Sequence, residues 1–188
     1  MTQKLVKQTA TNNVISHVLK ESLYIANTAK YPILCTVSSD NIPESRPVAV
    51  FQSTNSNKLT HLDYILFNTS IFSRKVKQMK LNNNVSMTFL MKDKRIYITL
   101  NGNAIKLNNK DKIKYWYEKS DRLWYPKGPN SNHYSVWRVN IKSLTIYSNK
   151  LKYLFKSNHK FAQDTLTSTP VIMKKDINNK WYITHPTK

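Results

Sequence analysis

Leu66 to Met91 reads LFNTSIFSRKVKQMKLNNNVSMTFLM, and the order of its local patterns decides what kind of chain this is. LFNT has the composition of a strand end, RKVKQMKL has the spacing of a short helix, and NVSMTFLM alternates apolar and polar residues with period two. The predicted order is strand, tight turn, helix over Ser73 to Leu81, asparagine turn over Asn82 to Asn84, strand. A helix that opens on Ser73, Arg74 and Lys75 brings backbone N–H groups, a hydroxyl and two cations to one point, a combination suited to a phosphate. A serine before a helix is also an ordinary cap, so the run by itself leaves both readings open.

Working outward, Val14, Ile15, Val18, Leu19 and Leu23 follow helical spacing, with Asn12 or Asn13 as N-cap and an end near Ala29 or Lys30 ahead of Pro32. Residues 1–12 are polar and are expected to fray. In ILCTVSS, alternation puts Ile33, Cys35 and Val37 on one face and Leu34, Thr36 and Ser38 on the other. SDNIPE reads as a loop and RPVAVFQ as the returning strand, a hairpin with a long connection. DYILFNT leads into the opening stretch, and NVSMTFLM is followed by RIYITLNGNAIKL across the charged turn KDKR. Gly102, inside that second strand, marks a bulge or a close backbone approach. NNKDKIKYWYEK reads as a helix and WYPKGPNSN as a loop; YSVWRVN and SLTIYSN read as two further strands, with KYLFK, PVIMKK and KWYIT as short candidates. The expectation is one domain over residues 1–188, mainly β (α+β): six to eight antiparallel strands in a small split β-barrel with short peripheral helices.

The formal charge of +20 over 188 residues attracts polyanions without specifying a fold. The lysines are spread along the chain, and the densest basic group, Lys92, Lys94 and Arg95, is interrupted by Asp93, a pattern closer to a solvated basic surface than to a nucleic-acid stripe. The single cysteine, Cys35, excludes an intramolecular disulfide framework and reads as a small buried apolar residue within ILCTV. With neither a signal-peptide core nor an apolar run near 18 residues, a soluble, cytoplasmic protein is expected. G-x-G-x-x-G, G-x-x-x-x-G-K, H-E-x-x-H and G-x-S-x-G are all absent, and His17, His61, His133, His159 and His185 are scattered singly. Rossmann and P-loop phosphate sites, zinc hydrolysis and a serine nucleophile therefore have no support, and no metal is expected.

Three signals remain. If Val48 and Val50 face inward, period two places Arg46 on the same face, where a cation needs a partner. Thr69 with Ser73, Arg74 and Lys75 forms the second signal. The third is the aromatic group Tyr115, Trp116, Tyr117, Trp124, Tyr125 and Trp137, most of it explained by packing.

Taken in this order, the pieces resemble the FMN-binding split β-barrel superfamily of pyridoxamine 5′-phosphate oxidase, and most closely its general-stress-protein branch. ILCTVSSDNIPESRPVAVF resembles the family's first hairpin with its S-R-P strand. ILFNTSIFSRKVKQMKLNNNVSMTF resembles the F-x-T, S-x-K, helix and strand block, and YITLNGNAIKL the strand carrying G-x-A. KIKYWYEKSDRLWYPKGPNSNHYSVWRVNIKSL is similar to the branch's Trp, acidic loop and closing strand, so that the likeness runs from Tyr31 to Ser148. The resemblance implies a homodimer with FMN at the subunit interface. It implies that Arg46 and Lys75 hold the phosphate, with Ser73 and Arg74 adding contacts. Pro47 and Val48 would lie along the isoalloxazine, Asn68 and Thr69 would line the site, and Trp116 would approach the flavin. Phe51 stands where the true oxidases carry a lysine, and their C-terminal R-x-H has no counterpart, so oxidation of vitamin B6 phosphates is not implied.

The leading expectation is thus an FMN-binding flavoprotein and oxidoreductase. Its alternatives are a non-catalytic flavin- or haem-holding stress or scavenging protein, with His133, His159 and His185 as candidate axial ligands, and a basic nucleic-acid-binding barrel.

Overall fold

The computed structural model describes residues 6–7, 12–29, 31–51, 58–91, 96–116, 118–148, 151 and 170–185. Its strands are β1 (Val6–Lys7), β2 (Ile33–Val37), β3 (Pro43–Pro47), β4 (Tyr64–Ser70), β5 (Asn84–Met91), β6 (Ile96–Lys106), β7 (Tyr134–Tyr147), β8 (Val171–Lys175) and β9 (Trp181–His185). The helices are α1 (Asn12–Thr28), α2 (Arg74–Leu81), α3 (Asn109–Ile113) and α4 (Glu118–Trp124). Among the described residues, eight strands of five residues or more bear out the expected count, and the two-residue β1 joins them by pairing Val6 with His185 and Lys7 with Thr184.

Every pairing is antiparallel, in the order β1-β9-β8-β7-β6-β5-β2-β3, with β4 also paired to β7. The long strand β7 organises the sheet. Along one edge it pairs with β6; along the other its first half takes β4 and its second half takes β8. The segment just after β3 returns to β4 through a single bridge, Val50 to Phe67. This bridge closes a ring of β2, β5, β6, β7, β4 and β3, while β8, β9 and β1 continue outward from the split.

Alternation fills the interior. Leu34, Val85, Met87, Phe89, Ile98, Leu100, Phe67 and Val139 are buried in one cluster, against which α1 lays Val18, Ile25 and Ala26. Ser22 shares the buried stripe of α1 because its hydroxyl donates to the Val18 carbonyl at 2.8 Å. A second, smaller cluster of Phe51, Leu66, Tyr134 and Val136 lies under Tyr115, Trp116 and Tyr125.

Several local expectations are corrected. The returning strand of the first hairpin starts at Pro43 rather than at Arg46, because Asn41 adopts φ 62° and allows a tight turn closed by Ser38 and Ile42. The predicted strand RPVAVFQ therefore contributes only Arg46 and Pro47 to β3, and Val50 to the bridge. The stretch from Asn108 forms two short helices instead of one: α3 is capped by Asn108, whose side chain accepts from the Asp111 N–H, and α4 extends into the predicted loop as far as Trp124. YSVWRVN and SLTIYSN are one continuous strand, since Ile141 and Lys142 offer no turn chemistry between them. On β2 it is Leu34 and Thr36 that face the core; Cys35 is only half-buried, in a shallow groove beside Ser86, Gly102 and Lys142. The candidate strand KYLFK, the turn KDKR and Tyr117 lie outside the described residues.

The anticipated irregularity at Gly102 is present. The register of β6 against β7 shifts between Asn101 and Gly102, and a Cβ at Gly102 would stand 1.9 Å from the Asn140 carbonyl oxygen. The obstruction is backbone, which cannot swing aside as a side chain would. Gly102→Ala is accordingly expected to destabilise the fold by about 2–3 kcal/mol in urea denaturation, with an unchanged Cys35→Ala control.

Candidate functional site

The site is assembled where β2, β3 and the start of α2 converge. Thr36 is the polar residue of β2's inward face, and its hydroxyl donates to Gln78 Oε1 on α2. Arg46, from the same face of β3 as Glu44, donates to the Thr36 hydroxyl, to Gln78 Oε1 at 3.1 Å and to Glu44 Oε2 at 3.2 Å. A guanidinium thus pins two strands and a helix at one point.

The turn between β4 and α2 brings up the other half. Ser73 sits at the N-cap position in extended conformation, and its hydroxyl makes no capping bond to the helix. It lies instead 3.3 Å from the Thr69 hydroxyl, which also accepts from Lys75 Nζ at 3.0 Å. The ordinary-cap reading of Ser73 is therefore not what its side chain does. Arg74, largely exposed, reaches across to Glu44 Oε2, the same oxygen that Arg46 uses.

The electrostatics follow from this crowding. Burial, followed by the charge of Arg46, holds the Lys75 ammonium below the ordinary lysine value. The hydrogen bond from Arg74, helped by both arginine charges and opposed by burial, holds the Glu44 carboxyl below the usual glutamate value. Arg46 and Arg74 both pair with Glu44, whereas Lys75 bonds to the neutral Thr69 hydroxyl and feels the Arg46 charge. The local excess of positive charge, two hydroxyls and the α2 N-terminus are donor types suited to a doubly charged oxyanion.

The remaining sequence-chosen residues stand apart from the cation cluster. Pro47 is exposed at the end of β3, and Val48 is buried, donating its N–H to the Pro32 carbonyl at 3.0 Å. Neighbours on a strand face opposite ways, so that Thr69 turns to Lys75 while Asn68 donates to Asp121 Oδ1 at 2.9 Å on α4. Trp116 packs edge-on against Tyr134, with ring centroids 5.2 Å apart. Around them, burial and the neighbouring Asp121 push the Tyr125 phenol up to about 12 and that of Tyr134 higher still. Among the candidate haem ligands, His133 stacks edge-on against Phe72, His185 pairs with Val6 through the β1–β9 ladder, and His159 lies outside the described residues.

Thr36, Glu44 and Gln78 were not picked out from the sequence. A signal existed for two of them: Glu44 is two residues from Arg46 on one strand, and Gln78 is one helical turn beyond Arg74. The buried Lys112, which donates to the carbonyls of Ser131 at 3.1 Å and Tyr134 at 3.3 Å, carried no such signal. Among the described residues no three His, Cys, Asp or Glu side chains are grouped to hold a metal, and no helix is long and apolar enough to cross a membrane.

A family model described as "Pyridoxamine 5'-phosphate oxidase like" matches residues 19–170. A pyridoxine/pyridoxamine 5′-phosphate oxidase of Blochmanniella pennsylvanica is 33% identical over 132 residues, covering 67% of this chain and 52% of that protein. The chain thus spans about half the length of this curated relative. Among solved structures, a Clostridium acetobutylicum protein related to general stress protein 26 superposes with a TM-score of 0.61 at 19% identity, covering 71% of this chain and 89% of that one. A pyridoxamine 5′-phosphate oxidase-related, FMN-binding protein of Nostoc punctiforme superposes with a TM-score of 0.55 at 10% identity, covering 96% and 98%. At these identities the two structures show a shared fold.

Gln78→Met removes the acceptor shared by Thr36 and Arg46, and is expected to cost about 1–3 kcal/mol of stability in urea titration. The lowered Lys75 pKa sets the sign of a pH effect. Anion binding favours the charged ammonium, so affinity for a phosphate ligand should fall as the ammonium deprotonates. That loss should begin below the 10.5 of an ordinary lysine. Dissociation constants measured against pH for the wild type and for Lys75→Arg, which keeps its charge, check this.

Proposed function

The chain belongs to the pyridoxamine 5′-phosphate oxidase-like family, and from that premise we propose that it is an FMN-binding flavoprotein with oxidoreductase activity. The observation that carries the reading is that Arg46 and Arg74 meet on the carboxylate of Glu44, while Thr69, Ser73 and Lys75 bond to one another close enough for the Arg46 charge to act on Lys75. That donor set fits the terminal phosphate of FMN, a group of nearly two negative charges with three acceptor oxygens. Support also comes from the FMN-binding description of the Nostoc relative.

In this reading Arg46 and Lys75 neutralise the phosphate, the Thr69 and Ser73 hydroxyls orient it, and Arg74 closes the solvent side. Pro47 and Val48 line the path of the isoalloxazine, whose outer end reaches toward Asn68 and Trp116. When bound, the flavin supplies the redox chemistry, and the protein supplies position and shelter from water. In this reading a homodimer completes the site, as the family resemblance implies. Phe51 takes the place of the lysine of the true oxidases and is buried against Tyr115, so a vitamin B6 phosphate is not the proposed substrate.

Protein purified without added cofactor is expected to show a flavin absorption spectrum. Arg46→Ala with Lys75→Ala should weaken FMN binding about a hundredfold or more in fluorescence titration, given the strength of charged hydrogen bonds. Riboflavin, which lacks the phosphate, should be little affected. An unchanged FMN affinity would reject the assignment. Light scattering in the presence of FMN should give the mass of a dimer.

A further inference from the structure

Glu44 is the one feature of the cluster that works against the proposed ligand. It is an acid two residues before Arg46, on the face of β3 that bears that arginine. A single oxygen, Oε2, accepts from Nη2 of Arg46 and from Nη2 of Arg74. These two guanidinium groups come from separate elements, β3 and α2, and the carboxylate bridges them as a phosphate oxygen would. Lys75, by contrast, donates to a neutral hydroxyl, that of Thr69.

From this geometry we infer that Glu44 is a built-in competitor for the phosphate clamp: an internal carboxylate that occupies the arginines and must be displaced when a phosphate ligand binds. The inference rests on the phosphate-clamp reading and adds a regulator to it. A carboxylate with one negative charge holds Arg46 and Arg74 together; a phosphate monoester brings nearly two charges and also reaches Lys75. The exchange therefore favours the dianion, while a singly charged anion gains little over what Glu44 already provides. The displaced side chain has somewhere to go, because Glu44 is already about a quarter exposed. Its pair with the largely exposed Arg74 is of the solvent-screened kind that exchanges readily.

A mere scaffold role predicts the opposite outcome, since removing a residue that orients both arginines would weaken binding. The two are separated by titrating FMN and riboflavin into the wild-type chain, Glu44→Gln and Glu44→Ala, with thermal melts confirming that each variant folds. Glutamine keeps the size of the side chain and abolishes its charge. The expected result is FMN binding about tenfold tighter in Glu44→Gln, with riboflavin within twofold of the wild type, and a larger rise in melting temperature on adding inorganic phosphate. If the wild type prefers FMN to riboflavin but Glu44→Gln binds FMN equally or more weakly, the competitor role is overturned and the clamp stands. If the wild type shows no preference for FMN, the clamp itself fails and the role of Glu44 falls with it.

Discussion

A guanidinium turned toward the inside of a small barrel must be met by acceptors, and the way Arg46 is met fixes the geometry on which the rest depends. Thr36 brings β2, Gln78 brings α2 and Glu44 brings the chain's own strand to the same group. Each bond uses a residue at a position set by period two on a strand or by one turn of helix, so the contact exists only if the two strands and the helix are all in register. Because α2 is held in this way, its first turn carries Arg74 and Lys75 to the mouth of the barrel, on the side where Thr69 and Ser73 present their hydroxyls. Structure and site are thus one network, and the cations are gathered by the same bonds that pack the helix.

The rest of the barrel serves to hold that corner steady. A 14-residue strand, β7, is long enough to carry β4 on one stretch and β8 on another. Gly102 lets β6 follow it through a register shift, by allowing the two backbones to approach where no side chain would fit. β4, laid along the first half of β7, is the strand that ends at Thr69 and Ser70 and starts the turn into α2. The bridge from Val50 to Phe67 then ties the far end of the Arg46 segment to the same strand.

A second polar network lies on the other face of β4. Asn68 meets Asp121, while Lys112 holds the carbonyls of Ser131 and Tyr134, beneath a layer of aromatic rings. Burying a lysine and an aspartate is costly unless each is met by hydrogen bonds, and here those bonds help to fasten two short helices alongside the aromatic packing. Stability and site therefore share a strand, with Thr69 serving the cations and Asn68 the scaffold.

A resemblance to a known family paired Arg46 with Ser73, Arg74 and Lys75; the sequence by itself determined the local patterns: the strand–turn–helix–strand order of Leu66–Met91, the alternation of the core strands and the bulge at Gly102. These patterns are set by short-range rules of period, turn chemistry and glycine sterics, which leave their mark within a few residues. Only the tertiary structure decided which face of β2 turned inward, that β7 ran unbroken, and that Asn68 and Thr69 served different networks. Only it set Glu44 between two arginines that are 28 residues apart in the chain, at positions 46 and 74. Period two says that neighbours part company and that Glu44 and Arg46 share a face, but not which face is wet. That is settled by what packs against the strand, and the partners of a charged group come from wherever the fold delivers them.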